Sequence, residues 1–92
     1  MTKAELAAIV AQNTETSTNT TMNVTNEILK VISEKLAQGE KIQLVGFGTF
    51  DTKQVKAREG RNPHNGEILQ IPAHKSPRFR PGKQLKEMVQ QV

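Results

Sequence analysis

The chain has 92 residues, of which 35% are apolar and only three are aromatic, and it carries a formal charge of +4. One domain is expected at this length, with a core completed by a second chain because large apolar side chains are so few. The absence of cysteine excludes disulfides, thiol catalysis and thiolate metal sites.

The charge is unevenly spread. Residues 1–52 hold four basic and six acidic side chains, a net of −2, whereas residues 53–92 hold nine and three, a net of +6. That polarity points to a polyanion at one end. No run approaches membrane-spanning length and no apolar leader opens the chain. A soluble, cytoplasmic protein without a membrane partner is expected.

Thr2-Lys3-Ala4-Glu5 is a capping box, which starts a helix near Lys3. Leu6, Ile9 and Val10 then recur at helical spacing. Asn13 to Thr21 is dense in Thr, Ser and Asn, and these residues favour caps and turns. A second helix is predicted from about Thr18 to Gln38, with a stripe of Val24, Ile28, Leu29, Val31, Ile32 and Leu36. Gly39 is its stop signal.

After Gly39 the period becomes two. Ile42 and Leu44 alternate with Lys41 and Gln43, as in a half-buried strand. Gly46-Phe47-Gly48 interrupts it with a bend that lets the ring enter a core. Two long extended runs follow, residues 49–59 and 67–78, joined by Gly60-Arg61-Asn62-Pro63-His64-Asn65-Gly66. They read as a projecting hairpin. Symmetric pairing about Pro63 opposes Val55 to Ile71 and Ala57 to Leu69, with Lys56 and Arg58 on the other side. Asn65-Gly66 alone signals a type I′ turn. Pro72 and Pro77 cannot donate to a ladder and belong at an edge or a kink. After Pro81-Gly82, the spacing of Leu85, Met88, Val89 and Val92 predicts a short amphipathic helix. The fold class is α+β, in the order α-α-β-β-β-α.

Nothing in the chain suggests an enzyme. His64 and His74 have no partners at metal-ligand spacing, and Asp51 is the single aspartate. No nucleophile–base pairing is evident. No cofactor, metal or small-molecule substrate is expected. The basic residues Lys53, Lys56, Arg58, Arg61, Lys75, Arg78, Arg80, Lys83 and Lys86 instead crowd the hairpin, its base and the last helix. Such a cluster on a projecting hairpin suits nucleic acid. The scarcity of aromatic rings argues against a stacking platform for single strands. Two roles fit Pro63: shaping the tip, or slipping between base pairs as a wedge.

Gly46-Phe47-Gly48-Thr49-Phe50, Ala57-Arg58-Glu59-Gly60-Arg61-Asn62-Pro63, Gly66, Ile71 and Phe79-Arg80-Pro81-Gly82-Lys83 closely resemble the HU and integration-host-factor family of bacterial histone-like proteins. The likeness covers the whole chain. It implies an intertwined dimer with a helical base (about 1–40), a sheet with a long protruding arm (about 41–82) and a C-terminal helix (about 83–92). Two such arms would wrap the minor groove. On this resemblance Pro63 is the intercalating wedge, flanked by Arg61 and Asn62. Lys53, Lys56, Arg58 and Lys75 lie along the arms. Arg80, Lys83 and Lys86 meet the backbone at the saddle and last helix, and Lys3 at the first helix. Leu29, Ile32, Leu36, Leu44, Phe47, Phe50 and Phe79 form the dimer core. Two departures stand out. Thr16 and Thr20 replace the apolar and acidic residues usual around Ser17, which weakens that cap. Val55 replaces a residue that is often basic.

The function expected from this resemblance is that of a nucleoid-associated, histone-like homodimer. It would bind double-stranded DNA with little base preference, and bend and compact it. One alternative is a sequence-preferring host-factor subunit in a heterodimer with a paralogue. An alternative of another class is a basic module for protein interaction or oligomerisation.

Overall fold

A computed structural model describes residues 1–91. They divide into two compact units, Met1–Lys35 and the chain from Leu36 onward.

The first unit is helical. Helix α1 spans Lys3–Asn13, and helix α2 starts at Thr18 and runs on to Ala37. Thr2 caps α1 as the capping box requires: the Glu5 amide donates to Thr2 Oγ1 at 3.2 Å. The helix ends in a Schellman pair, with the Thr16 amide on the Ala11 carbonyl (2.9 Å) and the Glu15 amide on that of Gln12 (3.4 Å). The left-handed position this motif needs is filled by Glu15, at φ +54°. Ser17 caps α2 despite its altered neighbours. The Thr20 amide donates to Ser17 Oγ at 3.1 Å, while the Ser17 hydroxyl donates to Thr20 Oγ1 at 2.8 Å. A hydroxyl pair thus stands where a carboxylate was expected, and the main capping bond is kept.

Only Ala7 and Ala11 are both apolar and buried among the described residues. Leu6, Ile9, Val10, Val24, Ile28, Leu29 and Val31 are exposed, and Ile32 and Leu36 are half-buried. The helical stripes read from the sequence are therefore present but uncovered in the single chain. Apolar patches of this kind mark association surfaces.

The second unit is built on strands β1 (Ile42–Leu44), β2 (Gly48–Val55) and β5 (His74–Pro81), in the order β1-β2-β5 and antiparallel throughout. Gly39, at φ +84°, ends α2. Gly46, at φ +85°, turns β1 into β2, with the Phe47 amide donating to the Leu44 carbonyl. Gly48 is required for a different reason. A Cβ there would lie 2.6 Å from the Phe79 ring and 2.7 Å from the Arg80 carbonyl. Phe79 can then stack near Phe50 and Phe47, with centroids 4.8 and 5.4 Å away. The glycines around Phe47 thus serve structure, Gly46 the turn and Gly48 the packing.

The hairpin continues as β3 (Arg58–Arg61) and β4 (Ile68–Ile71), a separate two-stranded sheet. Each predicted long strand is therefore split in two, at residues 56–57 and 72–73, where Pro72 has no amide to donate. The break inserts nothing. Val55 faces His74 before it and Arg58 faces Ile71 after it, so the register is continuous. Pro77 lies inside β5, which is an edge strand, as its missing donor demands.

The register differs from the symmetric one. Arg58 faces Ile71, and Gly60 faces Leu69. The shift is three residues, an odd number, so it moves the side chains of one strand to the other side. No basic side opposes an apolar side: Arg58 shares its side with Ile71 and Leu69, and Arg61 shares the other with Ile68. The shift also removes the unfavourable pairing of Glu59 with Glu67. Glu59 now faces Gln70, whose amide reaches it at 3.4 Å.

Helix α3 (Lys83–Gln90) follows a Gly82 cap, whose amide donates to the Phe47 carbonyl at 2.8 Å. Pro81, Leu85 and Val89 line a shallow apolar groove of about 220 Å³. Val92, the last residue of the predicted stripe, lies outside the described residues.

Candidate nucleic-acid interface

Alternation along β2 and β5 sorts the side chains onto two faces. Thr49, Asp51 and Lys53 share one with Arg80, Arg78 and Ser76. Phe50, Thr52 and Gln54 share the other with Phe79, Pro77 and Lys75, joined by Ile42 and Leu44. One face is thus polar and cationic, and the other is largely apolar.

The polar face centres on Asp51. Arg78 donates from Nε and Nη2 to its two carboxylate oxygens at 2.8 and 3.1 Å. Arg80 Nη2 donates to Oδ2 at 2.6 Å. The Arg78 hydrogen bonds and the charges of both guanidiniums hold the Asp51 carboxyl below the usual carboxylate range, against the opposing effect of desolvation. The same pairing raises Arg78. Lys53 lies further along this face, exposed.

Lys75 is placed differently. It lies on the apolar face, and its Nζ donates to the Ala37 carbonyl at 3.0 Å. Ala37 is the last residue of α2, so this cation caps a helix C-terminus, where its charge is favourable.

The arm stands alone. β3 and β4 pack on each other and on no other element to any substantial extent. Lys56, Arg58 and Arg61 are exposed along it. Its tip is a four-residue loop, residues 63–66, and not the two-residue type I′ turn that Asn65-Gly66 signals. The Gly66 amide donates to the Asn62 carbonyl at 2.8 Å, and the Asn62 amide to the Glu67 carbonyl at 2.8 Å. Two asparagine side chains lock the loop from within. Asn62 Oδ1 accepts from the His64 amide at 2.9 Å, and Asn65 Oδ1 from the Glu67 amide at 3.0 Å. Gly66 takes the left-handed position at φ +72°. Pro63 is the first residue of this braced loop and is exposed.

Lys83 and Lys86 are exposed on α3, and Lys83 lies 4.0 Å from Glu87. Lys3 is exposed on the first turn of α1. Among the described residues no cluster of His, Asp and Glu is arranged to hold a metal ion, and no helix is long and apolar enough to cross a membrane. Sequence reading missed the Asp51 cluster. The sole signal was the chain's single aspartate, just before the cationic half, and its partners stand 27 and 29 residues away.

The model of the bacterial DNA-binding protein family matches residues 1–90. The chain is 47% identical over 89 residues to DNA-binding protein HU-1 of Halalkalibacterium halodurans, spanning 97% of this chain and 99% of that protein. It is 44% identical over 89 residues to DNA-binding protein HU 1 of Bacillus subtilis, spanning 97% of each. Among solved structures, Anabaena HU in a cocrystal with DNA matches 100% of both chains with a TM-score of 0.93 at 39% identity.

Proposed function

The chain belongs to the bacterial DNA-binding protein family, and from that premise we propose that it is a histone-like architectural protein, not an enzyme, that binds and bends duplex DNA as a homodimer. The observation that carries this reading is the free-standing arm with an exposed, braced proline at its end. Its cations reach phosphates, while the Pro63 ring enters a base step in the minor groove and kinks it. As a histone-like protein of this kind it binds with low base preference and associates with the nucleoid.

The second copy follows from burial. A chain with two buried apolar side chains among its described residues cannot stabilise two helices and a sheet alone. Leu29, Ile32, Leu36, Leu44, Phe47, Phe50 and Phe79 supply the shared core. Lys53, Arg80, Lys83, Lys86 and Lys3 join the arm residues Lys56, Arg58, Arg61 and Asn62 as contacts to DNA. Lys75 acts first as the cap of α2.

Bending a short duplex costs of order 1–6 kcal/mol, so a nicked or pre-bent site should bind more tightly than an intact one. Titrating purified protein onto nicked and intact duplexes at several salt concentrations tests this. The expected result is tighter binding to the nicked form, with log affinity falling by about 0.9 per neutralised phosphate for each unit of log salt. Equal affinity for both forms would count against bending. Salt-independent binding would count against DNA as the partner.

A further inference from the structure

On the polar face of the sheet, the chain's single aspartate lies under two arginines. Asp51 keeps 12% of its side-chain surface exposed, whereas Arg78 and Arg80 keep 44% and 52%. The carboxylate is therefore the floor of the cluster and the guanidiniums are its outer layer. A phosphate arriving at this face meets N–H groups before it meets the acid. A guanidinium has five N–H donors in a fixed fork. Arg78 has committed Nε and Nη2, and Arg80 only Nη2, so each retains donors for an anion. An arginine already held in one rotamer loses less freedom on binding than a mobile one.

We infer that Asp51 is a positioning residue for a two-arginine phosphate clamp, Arg78 and Arg80, on the polar face of the sheet. This rests on the DNA-binding reading above and adds Arg78 to its contacts. The sign of the Asp51 effect is diagnostic. A negative charge near DNA by itself weakens binding, so if charge alone mattered, removing Asp51 would strengthen it. If positioning dominates, removing it weakens binding.

The full-length protein and its variants are titrated onto one nicked duplex at several salt concentrations, and each is melted to check folding. Glu87→Gln removes one negative charge from α3 and serves as the charge control. Asp51→Asn should bind about threefold to tenfold more weakly than wild type, and Glu87→Gln as tightly as wild type or more so. Arg78→Ala with Arg80→Ala should flatten the salt dependence by about 0.9 for each phosphate no longer neutralised. Adding Asp51→Asn to that pair should weaken binding no further and should tighten it slightly, because only the charge effect is left. If Asp51→Asn does not fold, Arg78→Lys takes its place: it keeps the charge but removes the fork, and should bind more weakly at an unchanged salt slope. Asp51→Asn binding as tightly as Glu87→Gln would overturn the inference. So would a weakening that persists without the two arginines, or Arg78→Lys binding like wild type. Salt-independent binding by the wild-type protein would overturn both the inference and the reading beneath it.

Discussion

The base of the hairpin and its arm share one unbroken register, yet they are held by different means. The base is fixed by three phenylalanine rings, a backbone approach that only Gly48 permits, a buried carboxylate between two arginines, and a lysine on a helix end. The arm has a two-stranded ladder and two asparagines at its tip. A lone hairpin of that kind is marginal in water. Stability therefore resides in the base and reach in the arm, and the two should respond separately to substitution.

The sharpest contrast is between two glycines. Gly48→Ala drives a methyl into the Phe79 ring and the Arg80 carbonyl, and should cost about 3 kcal/mol in chemical denaturation. Gly66→Ala meets no atom within 4 Å and suffers only its positive φ, a penalty of about 1 kcal/mol. That penalty should show as faster amide exchange in the arm, with the global transition unmoved. A large global destabilisation from Gly66→Ala would break the contrast.

Two lysines separate the faces of the base. Lys75→Met should lower stability by about 0.5–1 kcal/mol by removing the α2 cap, while leaving the salt slope of DNA binding intact. Lys53→Ala should do the reverse, reducing the slope by about 0.9 for the phosphate it would otherwise neutralise. Gly60→Ala, in the arm, meets only the Ile71 side chain, most closely its Cδ1 methyl at 3.1 Å, which can rotate away. Its effect on stability should stay within about 0.5 kcal/mol.

Asp51 gives the base an acid sensitivity. Its folded-state value is depressed, so its contribution is complete above the ordinary carboxylate value of about 4. It is lost as pH falls through the lower folded value. Melting wild type and Asp51→Asn from neutral pH down to the acid range should show a shallower acid decline in the variant. Parallel curves would remove Asp51 from the stability of the base.

The local signals at helix ends and at the first strand turn were faithful. Thr2 and Glu5 placed the start of α1, Gly39 the end of α2, and Gly46 the turn into β2, because each depends on neighbours within a few residues. The arm's existence was legible, but its register was not. Pairing about Pro63 and a turn at Asn65-Gly66 imply different centres, and the chain adopts neither. The Asn62 carbonyl accepts from Gly66 and fixes a four-residue loop instead. Everything that depends on register was hidden with it, including the mixed sides of the arm and the carboxylate shared by Arg78 and Arg80. The Lys75 cap on Ala37, 38 residues away, was equally out of reach of local patterns.

The most direct test of the arm as a bending device is the end-to-end distance of a short duplex labelled with a fluorescent donor and acceptor. Saturating wild-type protein should bring the ends together, and Pro63→Ala, bound through the same phosphates, should leave them further apart. A wild-type complex in which the duplex stays straight, or a Pro63→Ala complex bent as sharply as wild type, would contradict the role given to the tip.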